Sequence, residues 1–205
     1  MKNFININSV LVFFLCLTGT LLLVSACSEN KTKDSKEVAR EENVRKLAAS
    51  DTTARVIKDD NDSKFLMKAA EMQLEMISLG KLAQQKGNSD HVKELGKMME
   101  EDHTKSHTEI KTLAQSKSVS IPTSVTDDSK DAYEDLNDEN GNDFGKSYSK
   151  RMVNQHEDAI DLYENAAEDS EDPKVRAYAS EKLPALRTHL KHAEACKEKC
   201  ENEKS

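Results

Sequence analysis

The chain has no tryptophan, only 4% aromatic residues, three prolines and six glycines in 205 residues. No stretch carries a credible strand pattern of alternating apolar and polar residues. What is left, with 36% apolar and 33% charged residues, suits solvated helices around a modest core. A basic patch is missing as well. The formal net charge is −8 with acids and bases interspersed, which argues against a nucleic-acid partner. There is no Gly-rich phosphate loop and no Ser/His/Asp arrangement for nucleophilic chemistry. Cysteine is sparse, with four residues at 16, 27, 196 and 200.

The N-terminus reads as an address. Lys2 precedes a nearly unbroken apolar run, Val10–Val24, which ends in Val24-Ser25-Ala26-Cys27. Small residues before a cleavage point mark a secretory signal, and a cysteine directly after it resembles the bacterial lipobox. The run is short for a membrane span of about 20 residues. The expectation is a lipoprotein signal peptide over residues 1–26 and lipidation of Cys27. That places the protein in the cell envelope, held to a membrane without crossing it, with the outer membrane facing the periplasm as the expected site. Cys16 leaves with the signal, so Cys196 and Cys200 remain in a compartment that can be oxidising. Residues 27–62 are polar and charged and read as a flexible lipidated tether, with only a weak helical pattern over 37–49.

Four helical patterns follow. The first begins near Ser63 and carries the seam Phe65, Ala69, Met72, Glu75, Leu79 and Leu82, ending at Lys86-Gly87. The second runs from Ser89 or Asp90 to about Ser116, with Val92, Gly96, Met99, His103, Ser106, Ile110 and Leu113 along one side. The third, from about Asp143 to Glu168, aligns Phe144, Tyr148, Met152, His156, Ala159, Tyr163 and Ala166. The fourth opens on Asp172-Pro173, an N-cap followed by proline at the first helical position. It aligns Val175, Ala179, Leu183, Leu186, Leu190 and Ala193, with His189 at the seam's edge and Pro184 inside, where a kink is expected. The acidic stretch 123–142 reads as a loop with a short helix at 129–136. The run from Asp135 to Gly141 has its glycine out of register for an EF-hand. The fold class is therefore all-α: a ferritin-like four-helix bundle over residues 63–196, with a long crossover between the second and third helices and a charged tail at 197–205.

Each seam contributes one polar group: Glu75, His103, His156 and His189. A buried polar side chain without a partner costs a few kcal/mol, roughly. Three imidazoles and a carboxylate suit a transition metal ion (Zn, Fe, Mn or Cu). A hydrogen-bonded network that fixes helix register accounts for the same residues. Glu100-x-x-His103 is half of a di-iron motif, but the second Glu-x-x-His is absent and His156 stands where a carboxylate belongs. That departure argues against a ferroxidase or oxygen-activating site. A secondary set is His192, Cys196 and Cys200, four apart on one helix face. It reads as a Cu(I) or Zn site, as free thiols near the chain end, or as a strained disulfide.

Several of these residues also carry a likeness. Phe65…Ala69-Ala70-Glu71…Glu75…Leu79-Gly80-Lys81-Leu82-Ala83 opens it, followed by Asp102-His103, Leu113-Ala114 and Pro122. Phe144…Tyr148…His156-Glu157-Asp158-Ala159, Asp172-Pro173 and Leu183-Pro184…Leu186…His189-Leu190 complete it. Over residues 63–195 the chain resembles the bacterial domain-of-unknown-function family 4142, whose members are labelled predicted outer-membrane proteins and described as ferritin-like. The resemblance implies the bundle and an envelope location, and it supplies no reaction. The functional expectation is an envelope lipoprotein with a non-enzymatic binding or stress-protection role. The alternative is a metal-binding storage or redox protein that uses the Glu/His cluster.

Overall fold

A computed structural model describes residues 33–49 and 61–203. The expected signal peptide and the expected lipidation site at Cys27 lie outside them. The described residues form six α-helices and no strand: α1 (Ser35–Ala49), α2 (Asn61–Lys86), α3 (Asp90–Ser116), α4 (Asp127–Asp138), α5 (Gly141–Asp169) and α6 (Pro173–Asn202). The last starts as the sequence suggests, with the Asp172 carboxylate accepting from the Lys174 amide at 2.8 Å and proline in the first turn. It continues through Pro184 as one helix.

The four long helices make the bundle. α2 packs on α3 and α5, and α6 packs on α5 and α3. The α2–α3 and α5–α6 hairpins therefore lie side by side, with α3 diagonal to α5. Phe144 at the start of α5 shares a cluster with Leu82 and Val92, where α2 ends and α3 begins. Residues 117–140 must therefore carry the chain back along the bundle before α5 can start. This long return connection, with α3 and α5 running in the same direction, is the expected crossover topology.

α2 and α3 approach backbone to backbone. A β-carbon on Gly96 would stand 2.7 Å from the Gly80 carbonyl oxygen, and one on Gly80 would stand 2.7 Å from that of Gly96. Both positions need glycine for this contact.

The crossover is held down by buried carboxylates of α2. Glu71 accepts from Thr126 Oγ1 at 3.1 Å. Glu75 accepts from Ser129 Oγ at 3.3 Å. The Glu71 carboxyl is pushed up by burial, but bonds and charge from Lys36 and Lys68 outweigh this and leave it below its ordinary value. Two features differ from the sequence reading. Residues 35–49 form helix α1 rather than a spacer. Its own sequence gives it little amphipathic character, and it is fixed by tertiary partners: Lys36 with Glu71 at 3.0 Å, and Asn43 exchanging bonds of 2.9 and 2.6 Å with the Ser120 backbone. Helix α4 runs two residues past the short helix expected at 129–136, so Asp138 belongs to it rather than to a solvated loop.

The bundle core has two halves. One cluster gathers Phe65, Leu66, Met76, Ile110, Tyr163, Val175 and Leu186. The other gathers Leu79, Leu82, Val92, Met99, Phe144, Met152, Ala193 and Cys196. Between Met99 and Ile110 on α3, between Met152 and Ala159 on α5, and between Leu186 and Ala193 on α6, the apolar sequence is broken by a histidine.

Candidate metal centre

His103, His156 and His189 meet in that layer. Their ring centroids are 5.2–5.5 Å apart and no two rings stack. One nitrogen from each ring lies within 4.8 Å of the other two. All three side chains are buried, His103 and His156 almost completely.

Each ring uses one nitrogen to face away from the trio. His103 Nδ1 is 2.6 Å from Gln73 Oε1. His156 Nδ1 is 2.7 Å from the Met152 carbonyl oxygen. His189 Nε2 is 2.9 Å from Asp102 Oδ2. Carbonyl and carboxylate oxygens only accept, so the ring nitrogen facing each of them carries the proton. The Gln73 amide is itself oriented, because its Nε2 donates to the Tyr163 hydroxyl at 3.1 Å. A neutral imidazole has one proton, and here each proton points outward.

The other nitrogens, His103 Nε2, His156 Nε2 and His189 Nδ1, are buried and have no hydrogen-bond partner among the described residues. They are three acceptors with no donor among them. Burial pushes His103 well below its ordinary value, and His156 and His189 push it further. His156 falls to about 4, again chiefly through burial. Burial also lowers His189, against the opposing pull of Asp102. The rings are thus neutral at pH 7, the form that binds metal.

Glu75 does not join the trio. Its carboxylate is taken by Arg151 Nε at 2.9 Å and Gln155 Nε2 at 2.9 Å on α5, besides Ser129. Glu100 lies apart too, accepting from Gln84 Nε2 at 2.6 Å with Lys81 at 3.8 Å. His192 is exposed. Cys196 and Cys200 are buried free thiols, and the histidine beside them is His91. Sequence reasoning missed Gln73, Asp102 and His91 as participants. A signal existed for Gln73: Leu66, Ala69, Gln73, Met76, Gly80 and Ala83 form a second seam on α2 at steps of three and four, and every member is buried.

The description "Domain of unknown function (DUF4142)" matches residues 42–196. The chain belongs to the DUF4142 family. No curated protein matches it. Among solved structures, the crystal structure of a DUF305 fragment from Deinococcus radiodurans superimposes with a TM-score of 0.59 at 10% identity. The alignment covers 68% of this chain and 96% of that one. This is a likeness of fold, and it places the bundle of this DUF4142 protein beside a second domain of unknown function. The match takes in α2 to α5, α6 as far as Cys196 and the last part of α1.

Proposed function

We propose that this protein binds one late first-row transition ion, Zn(II) or copper, through His103, His156 and His189, and that it does so as a non-enzymatic binding protein of the cell envelope. The observation that carries the reading is the set of three buried, unprotonated and unpartnered ring nitrogens. Leaving each unsatisfied costs about 1–3 kcal/mol. One trapped water has only two protons for three acceptors. A cation answers all three at once. Each ligand also has the outward bond that fixes ring orientation and tautomer in metal sites: a carboxamide, a backbone carbonyl and a carboxylate.

The donors narrow the ion. Three imidazoles without a ligating carboxylate suit Zn and Cu better than Mn, which prefers oxygen. Closing the rings onto an ion at about 2.0–2.1 Å brings the nitrogens to roughly 3.5 Å from one another, a small inward shift from the present separation. The envelope assignment rests on the Val24–Cys27 sequence.

The test is metal content and melting of the full chain with Zn(II), with copper and with chelator. The expected result is a raised melting temperature and the loss of one equivalent of bound metal in His103→Ala. The two arms distinguish the ions. Equal melting of the wild type in all three conditions, or unchanged occupancy in His103→Ala, refutes the reading.

A further inference from the structure

A second constellation stands where α3 and α5 begin and α6 ends, and it shares no residue with the histidine layer. His91 Nε2 is 3.3 Å from Cys200 Sγ, and Cys196 Sγ lies 3.8 Å from the His91 carbonyl oxygen. Taking one ligand atom each from His91, Cys196 and Cys200, all lie within 4.8 Å of one another. We propose that these three residues form a second, thiolate-bearing metal site for a thiophilic d10 ion, Zn(II) or Cu(I).

Both thiols are buried, at 4% and 1% exposure, and both are free. A disulfide would need their β-carbons about 3.8 Å apart. Residues four apart on a helix hold them at about 5–6 Å, so α6 would have to unwind. An ion asks only for the side chains as they stand. The surroundings make room for sulfur: a β-carbon on Gly145 would sit 3.2 Å from Cys200 Sγ. His91 Nε2 is also approached by Ser89 Oγ at 3.3 Å and by Glu203 Oε1 at 3.8 Å.

Two thiolates neutralise Zn(II), so the zinc-loaded site buries no net charge, whereas Cu(I) leaves one negative charge on the site. Burial holds the Cys196 thiol up at about 12 and raises Cys200 too. The metal-free cysteines are therefore protonated and slow to react. On binding, two sulfur–metal bonds form and two protons pass to solvent, with no change of oxidation state.

The histidine layer holds no sulfur, so sulfur spectroscopy reports this site alone. The full chain, reduced and kept anaerobic, is titrated with Co(II) and then Zn(II). The expected result is a near-ultraviolet sulfur-to-cobalt charge-transfer band that Zn(II) removes. It is lost in Cys200→Ser and at least tenfold harder to fill in His91→Ala. Alkylation of the wild-type thiols should slow with Zn(II) present, a measurement that needs no variant to fold. Absence of the band in the wild type, an unchanged titration in His91→Ala, or alkylation indifferent to Zn(II) overturns the proposal. A sulfur band in a chain whose histidine layer takes no metal leaves this site standing and removes the other.

Discussion

Replacing Gln73 with Glu separates a metal centre from a hydrogen-bonded core. The side chain is 3% exposed, bonded to His103 on one side and Tyr163 on the other. A protonated Glu keeps both bonds, with its carbonyl facing His103 and its hydroxyl facing Tyr163. Holding that proton at pH 7 against an unfolded pKa near 4.3 costs roughly 3–4 kcal/mol of metal-free stability. An ion on the trio reverses the preference. Adding the 2.6 Å bond to about 2 Å across the ring and about 2 Å of metal–nitrogen bond puts the carboxylate about 6–7 Å from the ion. At an effective dielectric constant of about 20 the attraction is about 2.5 kcal/mol per unit of ionic charge. Gln73→Glu should therefore melt well below wild type in chelator and recover much of the deficit with Zn(II). Gln73→Leu does the opposite: it frees the His103 ring and should weaken metal binding roughly 10–100-fold, so its deficit grows with Zn(II). Calorimetric melting of both variants in both conditions decides the matter. Deficits that do not change between chelator and Zn(II) would refute the argument.

Gly96→Ala drives a β-carbon to 2.7 Å from the Gly80 carbonyl oxygen and 2.8 Å from the Ala83 side chain. It should cost about 1–3 kcal/mol or more. Gly141→Ala, strained at φ +59° but open around its β-carbon, should cost about 1 kcal/mol. Denaturant melts that rank the two the other way count against the α2–α3 contact. The metal-free protein should lose stability as pH falls below about 6.5, because the unfolded His156 takes up a proton there while the folded ring waits until about 4. Over that window this one residue removes about 3 kcal/mol, and denaturant midpoints independent of pH between 7 and 4.5 would contradict its buried neutral state. Leu79→Asp places an unpaired charge at a fully buried position and should cost about 3–5 kcal/mol, read as loss of cooperative helical melting. Cys27→Ser should move the protein out of the membrane pellet or leave it unprocessed, and unchanged attachment with normal processing rejects lipidation.

The periodicity of apolar residues made the bundle legible, and the three histidines were legible because each interrupts such a stripe. Their convergence needs the relative stagger of α3, α5 and α6, which no single helix encodes. Glu75 was misjudged as a companion because α2 is buried along more than one stripe. Its Glu75 side faces Ser129 and Arg151, and its Gln73 side faces His103. A glutamine on a buried line carries no charge to draw attention, yet it holds the ligand. His91 stayed hidden because its partners lie more than a hundred residues away in the chain. Helix α1 showed only a weak pattern over 37–49 for a related cause: what holds it is a set of bonds to Glu71 and Ser120.

The histidine layer also bears on how the molecule comes apart. His103 belongs to one hairpin and His156 and His189 to the other, so the layer is a polar waist across their docking surface, with an apolar half-core on either side. Without an ion the three rings do not hold one another, and the waist joins the hairpins only through the His189–Asp102 and Gln73–Tyr163 bonds. With an ion the two hairpins are riveted at mid-length. The rivet closes only after the hairpins have docked, so it is absent from an early folding transition state. It should leave the folding rate almost unchanged and slow unfolding, so that the loaded protein persists longer than the empty one.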